Sequence, residues 1–253
     1  MARWRRCRLG AVTDLDRLLN ALSGPGPVAP ALAVLDKAGA LTEIIPELDA
    51  GRGFRQPELH YYDVLDHNLA TVAALDSVLE PGDANDELRA ALAWLDFDAA
   101  LSGSFGGIDT VTLLRLSCLL HDVAKPATAT RLDGRLRFPR HGPTGAEMMA
   151  TRLHQAQLAP EPIDLVCRMI RYHLRPRDLI HNGPASDRAF RRFAADLLGQ
   201  VLPLMLLNLC DGMAVRGPGY TRENFRRHAA LVNYIVARCQ GVAVEEWRPR
   251  QAS

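Results

Sequence analysis

The run DTVTLLRLSCLLHDVA, residues 109–124, constrains this chain more than any other stretch. It reads as an apolar helix that belongs in a core, yet it ends on adjacent His121 and Asp122, with Lys125 and Pro126 close behind. Burying a carboxylate costs several kcal/mol or more unless something compensates its charge. A His-Asp pair at the end of such a helix invites a metal cation as the compensating partner. The fold must therefore carry further ligands from distant parts of the chain to the end of one buried helix.

The remainder is dominated by helical periodicity. Helices are expected over 13–22, with Thr13 as N-cap, and over 28–48, interrupted at Gly39. Further helices are expected over 61–80, 85–101, 109–124, 142–158, 161–174, 186–198, 200–214 and 221–240. Ser186 and Thr221 are the expected caps of the helices they precede. SGSFGGID (102–109) reads as a loop. Asp133-Gly134, set between short alternating segments, predicts one small β-hairpin near 128–138. The fold class is thus all-α with a single hairpin. An N-terminal helical segment is expected over 1–45, the main domain over 46–240 and a tail over 241–253.

Composition narrows the function classes. With 253 residues, 48% hydrophobic and 23% charged, the chain suits a globular domain with a large core. Its net charge of +1 supplies no global field toward nucleic acid or membrane. Arginines cluster locally, in MARWRRCR at the start, at 188, 191 and 192, and at 222, 226 and 227. These later clusters read first as solvated helix faces and only second as an RNA surface. No run of eighteen apolar residues predicts a membrane span, and Asp14 and Asp16 spoil a signal peptide. The five cysteines are scattered without CxxC spacing, which argues against a disulfide framework and fits a reducing, cytoplasmic setting. Cys118, Cys167 and Cys210 read as buried thiols.

Histidines and aspartates then recur in an order that suits metal ligation: His67, His121-Asp122, His141, His173 and Asp211. His67, His121, Asp122 and Asp211 would hold one divalent ion. If Asp122 bridges, His141 and His173 would hold a second; structural or substrate-binding roles for these two stay open. Imidazole and carboxylate together accept Mn, Fe, Ni, Mg or Zn. His60 and Asp63, expected on the helix face of His67, read as orienting or substrate-binding residues. Lys125 is either a phosphate contact or a solvated helix-end lysine. Arg137 and Arg140, flanking His141, are either phosphate-binding or simply exposed. His154, His181 and His228 read as surface residues.

This ordered set resembles the HD-domain metal-dependent phosphohydrolases, through HDVAKP together with His67, His141, His173 and Asp211. The run from Ile44 to Val72 is similar to the HD region of bacterial CCA-adding tRNA nucleotidyltransferases and poly(A)-polymerase-like proteins. Pro46-Glu47-Leu48, Gln56, His60, Asp63-Val64 and His67 carry that likeness, followed by Arg137-Phe138, His141 and Gly145-Ala146. The resemblance covers residues 28–215 and implies an HD-type helical bundle. It also implies hydrolysis of a phosphomonoester or phosphodiester of a nucleotide or RNA end by a metal-activated water. Cyclic 2′,3′-phosphodiesterase, 2′-nucleotidase or phosphatase activity would follow, with Asp122 and Lys125 as catalytic residues. The transferases' own catalytic signature, a Gly-Ser turn followed by paired aspartates, is not matched. GSFGGID (103–109) lacks the Asp-x-Asp, so nucleotide addition by this chain alone is not expected. Two rival readings are an RNA- or tRNA-binding module with an idle metal site, and a nucleoside-triphosphate or dinucleotide hydrolase.

Overall fold

The computed structural model describes residues 13–57, 59–181, 183 and 185–242. The arginine-rich start and the tail beyond residue 242 lie outside the described residues. The expected all-α architecture is observed, with helices joined by short turns and two small antiparallel strand pairs.

Three short helices come first: α1 (Asp14–Leu22), α2 (Ala29–Lys37) and α3 (Ala40–Ile44). Thr13 caps α1 in a reciprocal box with Asp16, and Gly39, at φ 75°, makes the expected break between α2 and α3. A 3₁₀ turn over Pro46–Gly51 leads to α4 (Val64–Leu79). That helix starts later than its periodicity suggests, because the Asp63 carboxylate accepts from the Asp66 backbone N–H at 2.8 Å and acts as N-cap. His60 and Asp63 are consequently outside the helix.

The single helix expected over 85–101 is two, α5 (Asp83–Ala91) and α6 (Phe97–Leu101). Asp96 starts the second by accepting from Ala99 N–H at 3.0 Å. SGSFGGID is not a plain loop: β1 (Ser104–Phe105) pairs with β2 (Ile108–Asp109) across Gly106-Gly107. Both glycines have positive φ, 55° and 81°, as a tight hairpin turn demands, but two-residue strands leave no alternation to read.

Next come α7 (Thr110–Leu120) and α8 (Lys125–Thr128), then the predicted hairpin, β3 (Thr130–Leu132) against β4 (Arg135–Arg137). Asp133 and Gly134 turn it with φ 50° and 72°. The described residues close with α9 (His141–Gln155), α10 (Pro160–Tyr172), α11 (Arg175–Asp178), α12 (Asp187–Asp196), α13 (Val201–Arg216) and α14 (Arg222–Gln240). Thr221 caps α14 in a box completed by Asn224.

The core explains the sequence. α7 is buried along all of its length except Val111, as its unbroken apolar character requires. It packs on α4, α10 and α13, and α13 in turn packs on α4 and α14. The apolar run of α13 is core, with Val201 to Leu207 all buried. Residues 13–45 share this core: Leu15, Leu18, Leu22, Leu32 and Leu41 join one continuous apolar cluster with Leu75, Leu116 and Leu206. Among the described residues no single helix is long and apolar enough to cross a membrane, and the described cysteines are free thiols.

Candidate metal centre

Five helical segments deliver the candidate ligands to one place. His67 lies within α4, His121 is the C-cap of α7 and Asp122 follows it. His141 is the first residue of α9, His173 the C-cap of α10, and Asp211 sits in the otherwise apolar α13. The mutual packing of α4, α7 and α13 brings together His67, His121 and Asp211. The helical hairpin of α9 and α10 supplies the other two histidines from its open end.

Distances divide these residues into two groups that share Asp122. In the first, His67 Nε2 is 3.1 Å from Asp211 Oδ1 and 3.3 Å from Asp122 Oδ2. His121 Nε2 is 3.2 Å from His67 Nε2 and 3.3 Å from Asp122 Oδ2. In the second, Asp122 Oδ1 is 3.2 Å from His141 Nε2 and 3.6 Å from His173 Nε2, and the two imidazole nitrogens are 3.2 Å apart. Ligands at about 2.1 Å from one ion stand about 3.0 to 3.4 Å from each other, in octahedral or tetrahedral arrangement. Most of the observed separations are of that size, with Asp122–His173 at 3.6 Å and His121–Asp211 at 3.7 Å somewhat longer, and the two oxygens of Asp122 face different groups, as a bridging carboxylate would.

Proton bookkeeping supports the fit. His121, His141 and His173 each donate Nδ1–H to a backbone carbonyl three residues earlier: Cys118 at 2.9 Å, Phe138 at 2.8 Å and Ile170 at 2.7 Å. A carbonyl only accepts, so in the neutral ring Nε2 carries a lone pair. Nε2 atoms of His141 and His173 facing at 3.2 Å are then two acceptors, which repel unless a cation or an extra proton lies between them. Asp122 Oδ1, buried between the two histidines of the second group, has no hydrogen-bond partner among the described residues. A divalent cation would satisfy both the facing Nε2 atoms and the open Asp122 oxygen.

The electrostatics point the same way. Burial alone would lower the His121 pKa, but Asp122 and Asp211 outweigh it and raise it to about 10. Burial likewise opposes ionisation of Asp122 and Asp211, yet both are held well below the usual carboxylate range. For Asp122 the opposing charges are Lys125 and His121; for Asp211 the opposing causes are hydrogen bonds from His121 and His67 and the charge of His121. His173 goes the other way, to about 3, through burial and the neighbouring charge of His121. The centre is thus built around two ionised carboxylates whose countercharge, in the protein alone, is a proton on His121 together with Lys125.

Lys125 is no solvated helix-end lysine. It is buried, with Nζ 2.5 Å from Asp122 Oδ2 and 2.6 Å from Gln56 Oε1. His60 is close, its ring centroid 6.0 Å from that of His67 and its Nδ1 3.3 Å from Pro57 O. Asp63 is not brought to the cluster: besides capping α4 it accepts from Gly53 N–H at 2.7 Å, so both oxygens serve the backbone. Arg137 and Arg140 are exposed, on β4 and just before α9. A cleft of about 280 Å³ elsewhere, bounded by Gly24, Glu80, Arg89 and Arg115, contains none of the ligands.

The roles of several contributors were not apparent from the sequence. Gln56 anchors Lys125. Behind Asp211, Asn208 Oδ1 lies 3.0 Å from His228 Nε2, and Tyr220 Oη 3.3 Å from His228 Nδ1, while Asn208 Nδ2 donates to His173 O at 3.4 Å. His228, expected at the surface, is instead half-buried, and burial lowers its pKa to about 4. Its spacing from Phe225, Ala229 and Val232, which share the buried face of α14, was the available signal.

Comparison with known proteins agrees with this geometry. Residues 97–212 match the family model described as HD domain. The chain is 29% identical over 189 residues to the CC-adding tRNA nucleotidyltransferase of Thermus thermophilus, and 26% identical over 222 residues to the multifunctional CCA protein of Alkalilimnicola ehrlichii. Those alignments cover 74% and 88% of this chain but only 36% and 40% of the relatives, so the chain spans about two fifths of their length.

Proposed function

Because residues 97–212 match the family model described as HD domain, we propose that this chain is a metal-dependent phosphohydrolase acting on a phosphomonoester or phosphodiester at a nucleotide or RNA end. One observation carries the reading: Asp122 turns Oδ2 to His67, His121 and Asp211, and Oδ1 to His141 and His173, so one buried carboxylate joins two ligand groups. A structural carboxylate needs one partner and gains nothing from four converging imidazoles. The name of one relative, a CC-adding tRNA nucleotidyltransferase, supports RNA as the substrate class.

His67, His121, Asp122 and Asp211 would hold one divalent ion, and Asp122, His141 and His173 a second. Bound there, such ions polarise a phosphoryl oxygen and lower the pKa of water toward neutrality. The chain's own residues do the rest. The carbonyls of Cys118, Phe138 and Ile170 fix three imidazoles with Nε2 facing inward, so ordering them costs nothing at the moment of reaction. Gln56 holds the Lys125 ammonium beside Asp122, where its charge offsets that of a substrate phosphoryl group. Arg137 and Arg140 offer guanidinium forks to the non-bridging oxygens, and His60 stands at the edge of the centre as a substrate contact.

Elemental analysis of protein purified without chelator or affinity metal, wild type beside Asp122→Ala, tests this directly. The expected result is one to two equivalents of Mn, Fe, Ni, Zn or Mg in wild type, lost in the variant with its helical circular dichroism intact. Hydrolysis of 2′,3′-cyclic AMP or 2′-AMP should fall at least a hundredfold in the variant. A wild type that takes up no metal on reconstitution would sink the hydrolase.

A further inference from the structure

The hairpin of β3 and β4 is the connection between two ligand segments. Its first strand leaves from His121, Asp122 and Lys125 through α8; its second returns, by Phe138 and Pro139, into His141. Its foot is fastened to the centre. Phe138 O accepts from His141 Nδ1 at 2.8 Å, the Phe138 ring packs edge-on against Phe54 at 6.2 Å, and Lys125 Nζ lies 5.5 Å from the same ring.

On this short element stand Arg131, Arg135 and Arg137, with Arg140 at its base, all exposed and none with a carboxylate partner among the described residues. Arginines elsewhere are commonly neutralised: Arg89 by Asp98 at 2.6 Å, and Arg222 and Arg226 by Glu87 at 2.5 and 3.1 Å. Arg188, Arg191 and Arg192 are exposed too, but they ride on α12, which packs on α14 and carries no ligand. The strand register places Arg135 and Arg137 on one face, about 6.8 Å apart along the strand, with Arg131 beside Leu136 on the other. Arg140 keeps φ 57°, a strained conformation for a side-chain-bearing residue, at the junction with His141.

We propose that this hairpin is an arm that grips the phosphodiester backbone of a single-stranded RNA whose end lies in the metal centre. Unpaired guanidinium groups spaced along a strand and leading away from a phosphoester site complement a chain of phosphates, not a lone nucleotide. The arm would therefore select polynucleotide ends over mononucleotides through affinity, leaving the chemical step to the centre. The inference rests on the function proposed above, and its test separates the two.

Binding of a fluorescein-labelled twelve-residue oligouridylate would be followed by anisotropy across a salt series, for wild type and R131A/R135A. Neither residue belongs to the centre, so turnover of bis(p-nitrophenyl) phosphate should match wild type. The slope of log affinity against log salt should fall by about 1.4, two lost phosphate contacts, weakening binding more than tenfold at 0.1 M salt. An unchanged slope would overturn the arm, whatever the hydrolytic result. So would polyglutamate of matched charge displacing the RNA equally well, since the surface would then be a site for acidic polypeptides. RNA binding with the expected change in slope, in a protein that hydrolyses neither substrate, would uphold the arm and remove the hydrolase.

Discussion

Asp122 and His121 set the terms for every other residue of the centre. In the protein without an ion, His121 keeps its proton to about pH 10 because two carboxylates face it, whereas His173, at about 3, carries none near neutrality. An incoming cation must displace the His121 proton, so its apparent affinity should rise with pH below 10, by up to about tenfold per unit. Calorimetric titration with Mn²⁺ at pH 7, in two buffers of different ionisation enthalpy, should report release of close to one proton per ion in the first group. Heats that do not depend on the buffer would show that His121 is already neutral and that the carboxylates are compensated by Lys125 alone.

Helix ends, not helix middles, build this site, and that decides what could be read beforehand. Three of the histidines sit where a helix begins or stops, because only there can a ring turn Nδ1 back to a carbonyl three residues earlier and aim Nε2 outward. Close approach of α9 to α10 completes the second group. A Cβ at Gly142 would stand 3.1 Å from the carbonyl oxygens of Ile170 and Arg171, and Ile170 O is the acceptor that orients His173. Gly142→Ala should therefore push α10 away, cost about 1–3 kcal/mol of stability, and reduce bound metal by one equivalent. A lower Tm with full metal content would make the contact one of packing only. The His/Asp cluster was legible because His and Asp set in or at the ends of apolar helices call for a shared partner, and the Asp133-Gly134 hairpin because its turn chemistry is local. Asp63 and His60 were misplaced since periodicity does not see an N-cap that begins a helix late, and Asp96 divided a helix for the same reason. Gln56 carried a motif but no visible role until Lys125 proved to be buried, and His228 was missed because an isolated histidine on a long helix says nothing of its neighbours.

At the scale of the whole molecule, the first helices are tied to the helices of the candidate metal centre by a second buried charge system, remote from the His/Asp cluster. Arg115, in the middle of α7, donates to the carbonyls of Leu22 at 3.0 Å, Gly24 at 3.1 Å and Gly26 at 2.8 Å, and lies 3.2 Å from Asp76 Oδ1 of α4. Asp76 Oδ2 accepts from the N–H groups of Val28 and Ala29, at 2.7 and 2.9 Å. The link between α1 and α2 is thus held by one arginine and one aspartate that rise from the same two helices as His121 and His67. A buried pair gives little net stability over an apolar replacement, but removing one member strands the other. Arg115→Met would leave Asp76 without its countercharge and three carbonyls without a donor, a loss of about 3–5 kcal/mol. In a domain of this size that is a fall of about 6–20 °C in Tm. Metal content and hydrolysis measured on the folded fraction at low temperature should stay at wild-type levels, because no ligand or ligand-orienting carbonyl is touched. A loss below about 1 kcal/mol in chemical denaturation would mean that water satisfies these groups and that apolar packing alone fastens α1 and α2. Full stability with diminished metal would instead show that the position of α7, and with it His121, is set from the far end of the helix.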